Sequence, residues 1–248
     1  MRKDIIDKQL LKKLVDEGNS YKDISKIMGY RESSLCRCYT KNFGIKPDRA
    51  ISYRQKIEIS EEQKEILFGS LMGDMFIGKH TKTYRGTETH SIKQESYIKY
   101  KHSLLSPLCG KLRDEKTVLK NKIYYKMSFT LRPNLNLKPF YDMFYIGENN
   151  KKDVPYNLSL LTPRAIAFWF MDDGFKITNK NNLLGFSTCS FSMDGLLRLQ
   201  KYLFETFNID TIIRKNFYLI VRACSYNTFC TLIKPYIIPS MLYKLGLS

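Results

Sequence analysis

Apolar residues recur at helical spacing near the start of the chain: Ile6, Leu10, Leu11, Leu14 and Val15 predict one helix face. Gly18 and Asn19 end that helix. Ser20 is placed to cap a second, with Asp23 three residues on and Ile24 and Ile27 facing in. Gly29-Tyr30 makes a short turn. Glu32 to Phe43 predicts a third helix with Leu35 and Tyr39 on one face and Arg31, Arg37 and Lys41 on others, closed by Gly44. Two helices, a turn and a basic helix give the outline of a helix-turn-helix DNA-binding domain over residues 1–45. Residues 46–59 hold few apolar positions, a helix-breaking Pro47, and Arg49, Arg54 and Lys56, and are expected to form a basic linker.

From residue 60 the pattern repeats. Leu67 to Asp74 aligns with Ile166 to Asp173 at an offset of 99. The strand-like stretch Ile123–Met127 aligns with Phe217–Val221 at 94, and Leu137-Lys138-Pro139-Phe140 with Ile233-Lys234-Pro235-Tyr236 at 96. Three landmarks in one order argue for an internal duplication, with halves at 60–153 and 154–248. Each half opens on an apolar helix that runs into an acid. Glu61 and Glu62 favour one helix start and Pro163 the other.

A carboxylate at a helix C-terminus meets the unfavourable end of the dipole, so Asp74 and Asp173 suggest binding rather than stability. Gly69 and Gly73 lie four apart on one helix face and would let a second helix approach closely. Packed side by side, the two helices would bring Asp74 and Asp173 together. Their repulsion would call for a proton or a divalent cation, and magnesium suits carboxylate and phosphate oxygens.

The formal charge of +17 makes a polyanion the expected partner. It is spread through the chain: residues 1–59, 60–153 and 154–248 carry net +6, +6 and +5, so it belongs to folded surface and not to a tail. No apolar run approaches the ~20 residues of a bilayer span, and no segment concentrates basic residues as a membrane-surface helix would. Asp4, Asp7, Asp16 and Glu17 among the first lysines fit neither a secretory nor a transit leader. The six cysteines lack zinc-ligand spacing and are expected to be reduced and structural.

Gly69-x-x-x-Gly73-Asp74 and Trp169-Phe170-Met171-Asp172-Asp173-Gly174 resemble the paired motifs of LAGLIDADG homing endonucleases. Leu161-Thr162-Pro163, Leu232 to Tyr236 and Ile238 to Leu245 look like the single-chain, intron-encoded members. The resemblance covers residues 60–248 and leaves the N-terminal segment outside it. It implies an α+β fold: a pseudo-two-fold αββαββα duplication whose two antiparallel sheets form a saddle on DNA. It implies a site-specific, divalent-metal-dependent DNA endonuclease that makes a double-strand break, with Mg²⁺ or Mn²⁺ held by Asp74 and Asp173. Lys152 and Lys244 match the family's basic residues near each centre.

The chain departs from the family's pattern in three places. Met75 stands where a small residue is usual. Phe168 stands opposite Gly69 in the alignment, which implies an asymmetric helix interface of Gly69, Gly73, Phe168 and Asp172 with the large ring filling the space at Gly69. Cys189 stands where relatives carry a polar amide near the second centre. The strands should carry the reading surface, with Lys79, Lys82, Arg85, Lys93, Lys120, Lys122 and Lys126 as candidate DNA contacts in the first half. Lys176, Lys180, Arg214, Lys215 and Arg222 are those of the second. The expected partner is double-stranded DNA bound by a monomer. The alternative is an intron RNA maturase or a non-cleaving DNA-binding regulator on the same fold. The compartment is expected to be the cytoplasm of a phage or bacterial host, or an organelle matrix.

Overall fold

In a computed structural model of the chain the described residues are 7–17, 19, 21–30, 32–45, 57–80, 83–120, 122–146, 150–177 and 183–246. The N-terminal unit holds three short helices, α1 (Lys8–Asp16), α2 (Tyr21–Ile27) and α3 (Ser33–Asn42). Asp7 caps α1 by accepting from the Gln9 and Leu10 amides. Gly44, at φ +64°, follows α3 where a left-handed residue is needed. Leu11, Leu14, Val15, Ile24 and Cys36 make a small core of their own. Ile27, expected inside, is exposed, and so is Leu35; Cys36 and Thr40 form the buried stripe of α3. Helices of seven to ten residues bury only two or three residues each, so neighbouring apolar positions fall outside the stripe. Ser20 and the linker residues 46–56 lie outside the described residues.

The remainder is α+β and duplicated. The first half runs α4 (Glu61–Met72), β1 (Phe76–His80), β2 (Thr83–Ser91), α5 (Glu95–Leu104), β3 (Arg113–Leu119), β4 (Lys122–Thr130) and α6 (Lys138–Phe144). The second runs α7 (Pro163–Asp173), β5 (Gly174–Ile177), β6 (Leu183–Phe186), α8 (Met193–Phe207), β7 (Thr211–Ile213), β8 (Leu219–Val221) and α9 (Tyr226–Ile233). Each half folds its strands into one antiparallel sheet of the same topology, β1-β2-β4-β3 and β5-β6-β8-β7.

One landmark of the repeat is corrected. Lys138-Pro139 opens α6, whereas Lys234-Pro235 follows the end of α9. Proline is tolerated in a first helical turn and cannot continue a helix, so the same pair serves at both kinds of boundary. The helix after the sheet therefore begins at Lys138 in one half and Tyr226 in the other.

Beyond their first turns, over Ile66–Met72 and Ala165–Asp172, helices α4 and α7 are buried around their whole circumference and sit at the centre of a single core drawn from both halves. Their starts are fixed locally. Ser60 and Gln63 form a reciprocal capping box at α4, and Thr162 Oγ1 accepts from the Ala165 amide ahead of α7, with Pro163 as its first residue. Ile57 and Ile59, assigned to the linker, pack on this domain; the Ile57 carbonyl accepts from Asn134 at 2.8 Å.

Candidate active site

The close approach of α4 and α7 depends on glycine. A Cβ on Gly69 would stand 2.2 Å from the Ala165 carbonyl oxygen, and one on Gly73 would stand 2.5 Å from Asp172 Cβ. Backbone thus takes the space at Gly69, correcting the expectation that Phe168 fills it; the Phe168 ring instead stacks against Tyr100, centroids 6.2 Å apart. The reason is the pseudo-two-fold axis. Residues on the axis, Gly73 and Asp172, meet their own counterparts at the offset of 99, whereas Gly69, off the axis, meets the counterpart of Ile66. At the opposite end Arg164 of α7 ties to Glu65 and Glu62 of α4 at 3.1 and 3.4 Å.

The paired helices deliver Asp74, in the turn between α4 and β1, and Asp173, the last residue of α7. The Asp173 carboxyl is pushed up to about 7 by burial first, then by the charges of Asp74 and Asp172, with Lys152 and Lys244 working in the other direction. Lys152 Nζ donates to the Gly73 carbonyl at 2.7 Å and to Met75 at 3.2 Å; Lys244 Nζ donates to the Asp172 carbonyl at 2.6 Å. Each lysine thus binds the carbonyl of the residue that precedes an acid. Burial lowers both ammonium pKa values, and the surrounding acids oppose that shift. Gly246, at φ +74°, turns the chain just beyond Lys244, so its segment packs on β5.

Among the described residues one buried ionic network lies behind the two centres, and it is built from the first half. His90 Nδ1 lies 3.6 Å from Asp74 Oδ2, and its Nε2 lies 2.6 Å from Glu88 Oε1. Lys101, fully buried, bridges Glu88 and Asp172, reaching Asp172 Oδ1 at 2.8 Å. Tyr97 donates to the same Asp172 oxygen at 2.7 Å. Burial disfavours the Lys101 charge, but Asp172 and Glu88 outweigh it and hold the pKa above the ordinary lysine value. None of His90, Glu88, Tyr97 and Lys101 is among the residues expected from the sequence to form the site. The signal was present: Glu88 and His90 alternate onto one strand face, and Tyr97 and Lys101 lie four apart on one helix. By strand register Thr87 corresponds to Gly185, since they pair with Phe76 and Phe175, so the counterpart of His90 is buried Thr188; the next residue, Cys189, is exposed and holds a free thiol.

The carboxylates suit a hard divalent cation. Asp74 and Asp173 offer oxygens, and a cation would offset the repulsion that raises Asp173. Asp74, His90 and Asp172 also bring ligand atoms within 4.8 Å of one another, but both Asp172 oxygens already accept from Lys101 and one from Tyr97.

The sequence profile of the LAGLIDADG DNA endonuclease family matches residues 64–228, which span both motif helices and both sheets. The chain belongs to that family. It is 34% identical over 214 residues to the DNA endonuclease I-ChuI of Chlamydomonas applanata, a match covering 77% of this chain and 97% of the relative. It is 35% identical over 202 residues to the cytochrome b mRNA maturase bI2 of Saccharomyces cerevisiae, covering 73% of this chain and 46% of that protein. The solved structure of the homing endonuclease I-WcaI bound to its DNA recognition sequence superposes with a TM-score of 0.72 at 26% identity, over 83% of this chain and 96% of that one.

Strand alternation sorts the candidate DNA contacts of this LAGLIDADG chain. Arg85, Lys122 and Lys126 lie on the sheet face turned away from the core, and Lys120 stands at the β3–β4 turn with φ +48°. Lys93 is exposed just past β2. Lys79 shares the face of buried Ile77, so it points to the helix side. Lys176 pairs with core residue Leu184 and lies against Gly246. Arg214 and Lys215 flank the β7–β8 turn, and Arg222 is ion-paired to Asp210 at 3.1 Å. Arg37 and Lys41 are exposed on α3. Arg31, Lys82 and Lys180 lie outside the described residues.

Proposed function

We propose that the chain cuts both strands of a specific duplex DNA site, with Asp74 and Asp173 each serving one strand and Mg²⁺ or Mn²⁺ as the metal. The observation that carries this reading is the matched pair of centres, each an acid at the end of a central helix with a lysine bonded to the carbonyl before it. Divalent cations held by Asp74 and Asp173 would supply activation of water and charge neutralisation at the leaving oxygen. Lys152 and Lys244 sit where they can hold or pass a proton beside the scissile phosphate, and their lowered pKa values enlarge the neutral, proton-accepting fraction. The Lys101 network lies behind this layer and fixes the end of α7 through Asp172. A plasmid carrying the target should survive uncut with the double variant Asp74→Asn, Asp173→Asn while duplex binding persists. Full linearisation by that variant would refute the assignment.

The N-terminal helices are proposed to extend the contact with DNA through the exposed basic residues of α3. Removing residues 1–45 should shorten the footprint and leave the cleavage chemistry intact; an unchanged footprint would count against this role. The yeast relative supports a second reading, intron RNA maturation. Tighter binding to its host intron RNA than to any selected duplex, with no cleavage in Mg²⁺, would favour that reading.

A further inference from the structure

His90 turns its two ring nitrogens to different partners. Glu88 and His90 are two apart on β2 and share its inward face, so the carboxylate stands behind the ring. Nε2 lies 2.6 Å from the buried Glu88 Oε1, which places the proton of the neutral ring on that nitrogen and leaves the lone pair to Nδ1. Nδ1 stands 3.6 Å from Asp74 Oδ2. A divalent cation bonded at about 2.1 Å to each of two such atoms holds them roughly 3–4 Å apart. The Asp74 side chain is 43% exposed, so water or a phosphate oxygen can complete the shell from the open side. Gln94 Oε1, at 3.1 Å, is the other neighbour of Nδ1; its amide also donates to the Tyr243 hydroxyl at 3.3 Å near the surface, where water can replace both bonds. Asp172 is not needed as a ligand, since Lys101 and Tyr97 already hold it.

We infer that His90 Nδ1 and Asp74 together hold one divalent cation at the first centre, and that the ring nitrogen makes this centre favour a borderline transition metal such as Zn²⁺ or Co²⁺ over Mg²⁺. The inference deepens the endonuclease reading and rests on it for the role of Asp74. Imidazole suits zinc and its neighbours in the transition series, whereas magnesium prefers oxygen and keeps its waters. A carboxylate on the far nitrogen of a metal-binding imidazole orients the ring and strengthens it as a ligand. Glu88, itself tied to Lys101, is placed to do this. The second half supplies no such donor from the matching position: Thr188 stands there, and its hydroxyl donates to the Phe217 carbonyl. The two centres therefore differ in metal preference, the first with nitrogen and oxygen ligands, the second with oxygen.

The test uses the full-length protein without DNA, with its three histidines ¹⁵N-labelled. In nuclear magnetic resonance spectra Zn²⁺ should shift the Nδ1 signal of one histidine, identified by its absence in His90→Gln, while Mg²⁺ at the same concentration should leave it in place. Asp74→Asn, a change at a half-exposed side chain, keeps the fold and should weaken the Zn²⁺ response by roughly tenfold or more, the scale of losing even a residue that only orients a metal ligand. A His90 signal unmoved by Zn²⁺, an equal response to Mg²⁺, or a Zn²⁺ response undiminished in Asp74→Asn would overturn the inference and leave the endonuclease reading standing. A Zn²⁺ response that depends on Asp74, in a protein that yields no cleaved duplex from a randomised library, would support the cation site and refute the endonuclease reading instead.

Discussion

The first half places His90 against Asp74 and secures Asp172 through the buried Glu88–Lys101 pair, while the second half has the uncharged Thr188 at the position matching His90, followed by the exposed Cys189. The first sheet has strands of up to nine residues, and its β3–β4 hairpin runs beyond the core; the second sheet has strands of three or four. Yet each half keeps an acid at a helix end, a lysine on the preceding carbonyl and the same strand order. The contrast teaches which parts of a duplicated enzyme are held fixed by geometry. The helix pair and its lysines share one axis, so a change in either half displaces both centres. The supporting network has diverged: Glu88, Tyr97 and Lys101 come from the first half alone, although they reach across to Asp172 of the second.

The largest expected break in this symmetry comes from the acids taken singly. Asp74→Asn and Asp173→Asn should each lower double-strand cutting by about a thousandfold or more, the scale of losing a key electrostatic partner of the transition state. Each should leave a nick, on opposite strands, which strand-specific end labelling would read; nicks on one and the same strand would contradict one acid per strand.

The buried network comes next. Lys101→Met leaves Glu88 and Asp172 buried without their cation and should lower unfolding free energy by about 3–5 kcal/mol. Lys201→Met on α8, the matching helix, removes only an exposed pair to Glu205 and should stay within about 0.5 kcal/mol. Urea denaturation of both variants compares the halves directly.

Protonation gives a third contrast. Asp173 rises from 3.8 to about 7 on folding. The folded chain therefore binds a proton that the unfolded chain has released, and the stability tied to this group is complete below about pH 4 and declines as pH rises through 7. In EDTA, thermal stability should thus fall across that window, and Mg²⁺ should restore more at pH 8 than at pH 5. Asp173→Asn should flatten the fall; a fall of undiminished size would place its origin elsewhere.

The smallest effect is kinetic. With His90 behind one centre and Thr188 at the matching position of the other, the two strands should be cut at rates differing by several-fold, so that nicked plasmid accumulates before linear product. Linear product appearing with no nicked intermediate would show the centres to be matched.

Much of this was legible in the residues. The motif helices, Pro163 as a first turn, both acids and both lysines stood where expected because local pattern and close packing are written along a single element. The Lys138-Pro139 and Lys234-Pro235 pairs misled because proline marks a helix boundary without telling a start from an end. Phe168 misled because a linear alignment pairs equivalents, whereas a two-fold axis pairs each residue with its partner's neighbour. The Lys101 network escaped notice because it joins β2, α5 and α7, whose meeting is a property of the fold.

The glycine contact of Gly73 with Asp172 has a consequence for the product. It holds Asp74 and Asp173 at one separation, because Gly73 leaves room only for the Asp172 side chain, which Lys101 and Tyr97 keep in place. If each acid serves one strand, as proposed, the two breaks should fall a constant number of nucleotides apart, whatever bases lie between them. Every cleaved target should end in single-stranded tails of a single length, and the joint they form on religation is set by the absence of one methyl group in the protein.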